Sequence, residues 1–341
     1  MKETSDKIEK KRLAILSVLK DVDEPLGSQT IMEMLAVLNM DMSERTVRFH
    51  LNAMDKNGLT ECIGRQGRKI TEKGLIEFTK ARVFDKVGFL ASKIDAMSCE
   101  MNFDPVTKTG SVVVNMSIVS QRELLYTYPY MLEVFKKGYS MGKLLAMFYP
   151  GDRIGDIIIP AGMIGIGTVC SITLNGILLS RGIPVTSRFG GLLEYVDWKP
   201  SRFTAIINYD GTTLDPLEIY IKSGMTDHRG ATTTGNGQIG ASFREVPAVC
   251  REKVLALSTE LDKVGLGGLL QLGFPGQTLL GIPVNEGRIA AIVIGGLNPV
   301  AILEEHGVDV YSRALSSVID YNKLFFFTDF EEKFRDLIKS P

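Results

Sequence analysis

The sequence has few of the residues from which enzyme and metal sites are built. Its 341 residues include three histidines, far apart, and four cysteines that never fall at CxxC spacing. Zinc sites and disulfide frameworks need such residues at short, regular spacings, so neither is indicated. Walker A, HExxH and GxSxG motifs are missing, and the loop beginning Gly165-Ile-Gly167 has Cys170 where a dinucleotide loop needs its third glycine. We predict a protein that is not an enzyme and that holds no metal and no cofactor.

Long hydrophobic runs are missing as well. The stretch from Met1 to Arg12 is almost entirely polar, and no apolar run is long enough to span a bilayer. We therefore predict a cytoplasmic protein without a membrane segment. The formal net charge of -1 rules out an argument from a globally basic chain. Between residues 43 and 73, however, Lys and Arg outnumber Asp and Glu by seven to four, which concentrates positive charge in one short stretch.

The residues from Ser43 to Leu59 predict the recognition helix of a helix-turn-helix. Ser43 is a good N-cap, Glu44 suits the positive end of the helix dipole, and Gly58 ends the helix. One face carries apolar residues at helical spacing, namely Val47, Leu51 and Met54. On the outer face, arginine can read guanine and asparagine can read adenine in a major groove. The predicted DNA contacts on this helix are Ser43, Arg45, Thr46, Arg48, Phe49, Asn52 and Lys56.

Flanking elements complete a winged helix. A predicted helix over residues 5–22 and a second helix from Ser28 precede the recognition helix, which gives a three-helix core. A strand from Leu59, a glycine turn from Gly64 and the returning Lys69-Ile70 indicate a hairpin wing. The predicted wing contacts are Arg65, Gln66, Arg68 and Lys69. We predict a winged helix DNA-binding domain over residues 1–75, with a protein-binding winged helix as the alternative.

Helical spacing continues from Glu72 to about Met97. Its apolar positions are four, three and four residues apart, at Val83, Val87, Leu90 and Ile94. We predict a linker or dimerisation helix over residues 76–104. Because the stripe is too short to establish a coiled coil, packing of this helix on the next domain is an equal alternative.

An internal duplication dominates the sequence beyond Pro105. Motifs of the first copy recur in the same order in the second, with Asn175, Gly182, Ser187-Arg188 and Tyr195 matched by Asn298, Gly307, Ser312-Arg313 and Tyr321. Each copy alternates strands with helices. We therefore predict an α/β regulatory domain of two pseudo-symmetric lobes, residues 105–200 and 201–325, with a ligand cleft between them. A C-terminal helix or tail follows over residues 326–341.

The second copy contains a polar insert, from Asp227 to Gln238, that the first copy lacks. Its hydroxyls and flexible glycines, with arginines nearby, are suited to hold a small anion. The predicted contacts are Arg229, Thr232, Thr233, Thr234, Asn236 and Arg244. A mobile polar surface loop is the alternative, because glycine and threonine alone specify no ligand.

Two stretches carry a family resemblance. The winged-helix part ends in Ile70-Thr-Glu-Lys-Gly-Leu75, and the regulatory part contains Thr234-Gly-Asn-Gly-Gln-Ile-Gly-Ala-Ser-Phe-Arg-Glu-Val-Pro247. In this order they resemble the NrpR family of archaeal nitrogen repressors over nearly the whole chain. The winged-helix part alone is also similar to the start of ribonuclease R proteins.

The resemblance implies a function. The implied protein binds a palindromic, double-stranded operator as a dimer and represses genes of nitrogen fixation and glutamine synthetase. It releases the operator when the concentration of 2-oxoglutarate rises. The active species would be a homodimer, or a complex with a second regulatory-domain protein. 2-Oxoglutarate is a small dicarboxylate, so its site should offer arginines. The repeated Arg188 and Arg313 therefore join Arg229 and Arg244 as candidates. Alternatively, the repeated Ser-Arg pairs are structural and bond backbone carbonyls in the two lobes.

Two other classes of function stay open. A winged-helix RNA-binding regulator is disfavoured by the scarcity of aromatic residues on the wing and by the presence of only Phe49 on the outer face of the helix. A metabolic enzyme with an appended winged helix would need an acid-base or metal cluster that the sequence does not offer.

Overall fold

The chain divides into two compact units, Met1–Val87 and Gly88–Pro341. The computed structural model describes residues 2–20, 22, 24–37, 40, 42–81, 89–155 and 157–339. The elements of the first unit are α1 (Lys2–Lys20), α2 (Ser28–Val37), α3 (Glu44–Lys56), β1 (Thr60–Cys62), a short 3-10 helix (Gly64–Gln66), β2 (Arg68–Ile70) and α4 (Glu72–Ala81). Three helices followed by a hairpin confirm the predicted winged helix.

Helix α3 forms where the sequence predicts the recognition helix. Ser43 is in an extended conformation, and its hydroxyl accepts a hydrogen bond from the amide of Thr46 at 3.2 Å, so it is the N-cap. Val47, Leu51 and Met54 are 0% exposed and pack in a core shared with α1 and α2. The helix is therefore held by its apolar face, which leaves the opposite face to solvent.

The wing is fixed to the segment that precedes α2. Strands β1 and β2 pair in antiparallel register, and Leu26 exchanges two backbone hydrogen bonds of 2.9 Å with Arg68. Gly67 has a φ of +124°, and a Cβ there would lie 2.3 Å from the carbonyl of Leu26. Only glycine fits this close approach, so the hairpin tip has one defined path.

The second unit contains eight helices and twelve strands among the described residues. The helices are α5 (Phe89–Glu100), α6 (Gln121–Lys136), α7 (Ile172–Ser180), α8 (Pro216–Lys222), α9 (His228–Thr233), α10 (Arg251–Lys263), α11 (Asn298–Glu305) and α12 (Phe330–Lys339). The strands are β3 (Ser111–Ser120), β4 (Leu144–Phe148), β5 (Arg153–Ile154), β6 (Ile157–Ile158), β7 (Met163–Val169), β8 (Thr186–Val196), β9 (Lys199–Asn208), β10 (Gly237–Pro247), β11 (Leu269–Leu272), β12 (Arg288–Ile294), β13 (Tyr311–Asp320) and β14 (Phe325–Phe326).

Two five-stranded sheets organise this unit. Their strand orders are β13-β3-β7-β4-β14 and β11-β12-β10-β8-β9, and every neighbouring pair is antiparallel. The central strands β3 and β7 are almost wholly buried. One continuous hydrophobic core includes both sheets.

The sheets contain the predicted duplication. The first repeat runs β3-α6-β4-β7-α7-β8 and the second runs β10-α10-β11-β12-α11-β13. The strands that each repeat contributes to its own sheet occur in matching order, β4-β7-β3 and β11-β12-β10. Each repeat then gives its last strand to the other sheet, because β8 pairs with β10 and β13 pairs with β3.

This exchange corrects the predicted lobes at residues 105–200 and 201–325. Strand β8 lies in the first predicted lobe but belongs to the sheet of β10. Strand β13 lies in the second predicted lobe but belongs to the sheet of β3. The physical reason is burial of the apolar side chains of the exchanged strand. Phe189 of β8 is 1% exposed, and its ring stacks on that of Phe243 of β10 with centroids 5.0 Å apart.

The predicted polar insert also has a different place. Residues of β9, α8 and α9 separate the two repeats, so the segment from Asp227 to Gln238 precedes the second repeat instead of interrupting it. Asp227 and Gln238 pair with each other as an isolated antiparallel bridge. Backbone pairing therefore closes the segment at its base, and α9 forms most of its first half.

Within the predicted helix over residues 76–104, the structure describes the end of α4, which runs to Ala81, and α5, Phe89–Glu100. Val83 and Val87 lie outside the described residues. Leu90 and Ile94 are buried in the core of the second unit, where α5 packs on α7 and β13. For α5, the alternative of packing on the next domain is the one observed, because its apolar stripe is covered within its own unit.

The strand exchange leads to a test with protein fragments. A fragment of residues 105–200 lacks β13 and leaves β8 without β10, so we expect it to show no cooperative unfolding transition on its own. The same holds for residues 201–325, whereas residues 88–341 should unfold cooperatively. Urea titrations followed by far-UV circular dichroism make the comparison. A cooperative transition in the 105–200 fragment alone would contradict the exchange.

Candidate DNA interface and effector site

The predicted DNA contacts lie on α3 and on the wing of the first unit, and most of their side chains are exposed. Phe49 on α3 is 68% exposed. The exposed cationic and amide side chains are those of Arg45, Arg48, Asn52, Lys56, Arg65, Gln66 and Lys69. Ser43 and Thr46 form the start of α3, and their hydroxyls are 2.9 Å apart. The recognition helix and the wing thus present positive charge together.

Some of these side chains are held by partners that the sequence analysis missed. Arg48 pairs with Glu44 one helical turn away, and Glu44 also accepts a hydrogen bond of 2.8 Å from the hydroxyl of Ser28. The Ser28 hydrogen bond, followed by the charge of Arg48, lowers the pKa of Glu44. Glu44 therefore stays ionised and orients Arg48.

Arg68 joins the wing to the recognition helix. Its Nε donates to the carboxylate of Asp55 at 2.9 Å, and its Nη2 donates to the side-chain oxygen Oδ1 of Asn52 at 2.7 Å. Only 19% of the Arg68 side chain is exposed. Arg68, which stays a predicted DNA contact, is therefore held in place by Asp55, a residue that no sequence motif marks.

The structure does not gather the predicted effector residues into one site. Arg244, on β10, is 1% exposed, and its guanidinium donates to the backbone oxygen and the hydroxyl of Ser171, both at 2.8 Å, and to Asn175. Ser171 and Asn175 belong to the first repeat. Arg244 is therefore an internal clamp between the repeats, out of reach of a soluble ligand.

Arg188 is also occupied. Its guanidinium donates to the carboxylate of Glu245 at 2.8 Å and to the backbone oxygen of Pro283 at 2.6 Å. Glu245 is fully buried and accepts another bond of 2.8 Å from Asn285. Because removal of Arg188 would leave a buried charge unpaired, its role is structural, as the alternative for the repeated Ser-Arg pairs proposed.

The threonines of the polar loop bond within the loop. The hydroxyls of Thr232, Thr233 and Thr234 each donate to the backbone oxygen four residues earlier, at 2.7 to 2.9 Å. Asn236 accepts from the amide of Asp197 at 3.1 Å, at the tip of the β8–β9 hairpin. The loop therefore supports that hairpin.

Arg229 lines a cavity of about 460 Å³ beside α9, together with Lys222 and the carboxylates of Glu304 and Glu305. Glu304 pairs with Lys222 at 2.8 Å. Burial raises the pKa of Glu305, but the hydrogen bond and charge of His228 outweigh it and lower that pKa to about 2. Glu304 is thus paired with Lys222 and Glu305 with His228, whereas the guanidinium of Arg229 has no ion pair among the described residues.

Arg313 lies on β13 in a second charged region. Burial, and then the charge of Arg313, lowers the pKa of Lys93 on α5. The nearby Glu218 accepts a hydrogen bond from the amide of Ala314, and burial raises its pKa. Lys93 and Arg313 therefore share this region with the carboxylate of Glu218, and negative charge there opposes the lowering of the pKa of Lys93. Lys93 has no sequence motif that marks it.

Asp215 belongs to the same charged region, because its charge acts on Lys93. Its carboxylate caps α8 by accepting from the amides of Leu217 at 2.9 Å and Glu218 at 3.3 Å. Burial, together with the charge of Glu218, raises the pKa of Asp215 from 3.8 to about 7. Near neutral pH this carboxyl group is therefore only partly ionised.

Comparison with known proteins identifies the regulatory unit. A family model described as NrpR regulatory domains NRD1 and 2 matches residues 87–325, which is well over half of the chain. The chain belongs to the NrpR family. A second model, described as the ribonuclease R winged-helix domain, matches residues 13–78.

NrpR proteins extend the similarity to the whole chain. Global nitrogen regulator NrpRI of Methanosarcina mazei is 34% identical over 93% of this chain and 98% of its own length. The NrpR proteins of Methanococcus maripaludis and Methanocaldococcus jannaschii are 29% and 31% identical over 91% and 93% of the chain, which spans about half of their length, 54% and 55%. A crystal structure of a nitrogen repressor-like protein from Methanococcus jannaschii has 28% identity and a TM-score of 0.60, covering 69% of this chain and 97% of that one.

These NrpR relatives are named as regulators, which confirms the predicted family and the prediction of a non-enzymatic protein. Within the described ranges, no helix combines the length and the hydropathy that crossing a membrane requires.

The Asp215 carboxyl group makes stability depend on pH. Its raised pKa means that the folded chain keeps a proton that the unfolded chain loses above 3.8, so stability is full below that pH and falls as pH rises to about 7. We expect Asp215→Asn, which keeps the helix cap, to remove this part of the decline. Urea unfolding between pH 5 and 8 measures it. If the free energy of unfolding fell equally with pH in the wild-type chain and in Asp215→Asn, the raised pKa of Asp215 would be refuted.

Proposed function

We propose that this NrpR-family chain represses genes of nitrogen fixation and assimilation by binding a palindromic operator through α3 and the wing. The supporting observation is the shared surface of Arg45, Lys56, Arg65 and Lys69, for which no ion-pair partner occurs among the described residues. Arg48 and Arg68 add charge that is already oriented by Glu44 and Asp55. Such a surface suits base contacts from the helix and phosphate contacts from the wing.

The proposed active species is a dimer. A single winged helix with few phosphate contacts binds DNA weakly and with strong salt dependence, whereas two copies can reach half-sites about one DNA turn apart. The dimer is formed by two copies of this chain, or by this chain and a second protein with a regulatory domain. The second possibility is supported by the two relatives of which the chain spans about half, since these carry additional sequence.

The DNA-binding proposal is tested with a glutamine synthetase promoter from the source organism. Fluorescence anisotropy at several salt concentrations compares the wild-type chain with Arg45→Ala and Arg65→Ala. We expect each variant to bind more weakly, and the salt slope to fall by about one for each phosphate group that the variant no longer neutralises. Lys253→Ala, which removes a cation from the exposed surface of α10, is the matched control.

Two results would speak against this proposal. Equal binding to operator and unrelated duplex would remove sequence-specific repression. Preference for single-stranded RNA would favour the RNA-binding alternative, to which the ribonuclease R winged-helix match and the exposed ring of Phe49 lend some support.

We further propose that 2-oxoglutarate binds at Arg313 and Lys93 and releases the operator. The support is electrostatic, because burial and then the charge of Arg313 lower the pKa of Lys93, and an incoming carboxylate would favour its charged form. Lys93 is on α5, the first described helix after the junction between the two units. Release requires only that the ligand bind better to a dimer whose recognition helices no longer match the half-sites.

The effector proposal is tested by adding 2-oxoglutarate to the operator complex. We expect Arg313→Gln and Lys93→Gln each to raise the concentration needed for release by about tenfold, the cost of one charge-assisted hydrogen bond. Lys253→Gln is the control. Arg188 and Arg244 are unsuitable for this test, because both hold the fold together.

The outcomes separate the possible sites. Loss of the response in Arg229→Gln alone would move the effector to the cavity beside α9. Release that persists unchanged in all three variants would exclude these arginines and Lys93, and operator binding indifferent to 2-oxoglutarate would exclude the effector itself.

A further inference from the structure

A second cavity, distinct from the proposed effector site, opens where the two repeats meet. It measures about 470 Å³ and is formed by the loop that follows α6, residues 137–143, and by the loop that follows α10 with the start of β11, residues 264–270. These loops occupy the same position in the two repeats, each between a helix and the next strand. We call this space the loop cavity.

Backbone contacts build the walls of the loop cavity. The amide of Lys143 donates to the backbone oxygen of Gly265 at 2.8 Å. Gly142 has a φ of +80°, and a Cβ there would lie 2.2 Å from the same oxygen. The two loops therefore touch through their main chains, and a side chain at residue 142 would separate them. The loops therefore meet at this contact, and the loop cavity lies beside it.

The loop cavity carries one carboxylate where a helix disfavours it. Asp262 is in the last turn of α10, at the negative end of the helix dipole. Burial raises the pKa of Asp262 above its usual value, and the charge of Lys143 opposes that rise only in part. No ion pair joins Asp262 to Lys143 in the described part of the chain, although both line the cavity. A cation and an anion thus face the same space without neutralising each other directly.

The remaining surface limits what the cavity can accept. The last turns of both α6 and α10 reach it, and the carbonyl groups at helix C-termini favour positive charge. Phe135, Leu269 and Leu270 add an apolar wall. A dicarboxylate would face Asp262 and two helix C-termini, which is unfavourable. A ligand with a positive group, a negative group and a partly apolar body fits better.

We propose that the loop cavity binds a free α-amino acid, with its ammonium group on Asp262 and its carboxylate on Lys143. The side chain of the amino acid lies along the wall formed by Phe135, Leu269 and Leu270. This site goes beyond the operator and the dicarboxylate effector, and it gives a nitrogen regulator a second input. Two ligands of different charge then act on different parts of the second unit.

The chain contains a reporter for occupancy of the loop cavity. Trp198 is its single tryptophan. The Nζ of Lys137, at the start of the first loop, lies 4.0 Å from the centre of the Trp198 ring. The ring of Tyr139, in the same loop, is 4.7 Å from that of Tyr195. A ligand that orders this loop changes the surroundings of the indole, and tryptophan fluorescence detects the change.

The test titrates the full-length chain with each standard L-amino acid other than tryptophan and tyrosine. Trp198 fluorescence is followed, and isothermal titration calorimetry provides a second readout. We expect at least one amino acid to bind, its desamino analogue to bind at least tenfold more weakly, and Asp262→Asn and Lys143→Gln to lower the affinity by about tenfold or more. Glu260→Gln and Lys253→Gln remove the same charges from the exposed face of α10 and should bind normally.

Two results would overturn the proposal. One is the absence of a calorimetric signal for all amino acids at millimolar concentration in a chain that unfolds cooperatively. The other is binding that Asp262→Asn and Lys143→Gln weaken no more than the two controls do. Operator binding, measured separately by anisotropy, is unaffected by either result, so failure here does not imply failure of the repressor function.

Discussion

The second unit depends on the backbone hydrogen bonds between the last strand of each repeat and the first strand of the other. Pairing of β8 with β10 and of β13 with β3 makes each sheet a joint product of both repeats. Arg244 reinforces this exchange with a buried guanidinium that bonds to the first repeat. Because neither sheet is complete without the other repeat, a change at one end of the unit acts on both sheets.

The exchange of strands also decides which charged side chains have ion-pair partners. Where the repeats are locked together, charges are matched and internal, as in the pair of Arg188 with Glu245. Elsewhere, charged groups influence each other without forming an ion pair among the described residues, as Arg313 and Lys93 do and as Asp262 and Lys143 do. In a regulator, fixed ion pairs maintain the scaffold, and unmatched charges are the groups that a ligand can stabilise.

Local patterns in the sequence predicted the local structure. The spacing of Val47, Leu51 and Met54, with the cap at Ser43, was enough to predict α3, because helix periodicity is a property of neighbouring residues. The strand exchange was not predictable in this way, since β8 and β13 have similar sequences and either could complete either sheet. Nor could the sequence show that Arg188 is occupied, because its partner Glu245 is 57 residues away. Long-range pairing decides which arginines stay available, and no single motif encodes it.

The two exchanged strands also set an order of events during synthesis. β8 meets its partner strand early, since Arg188 and Glu245 are separated by 57 residues. β3 must wait much longer for β13, because Leu315 bonds to Asn115 across 200 residues. While the ribosome makes the intervening chain, β3 keeps an open edge that could pair with another nascent chain. The sheet whose first strand is made earliest is therefore completed late, and its open edge is covered only after β13 has emerged from the ribosome.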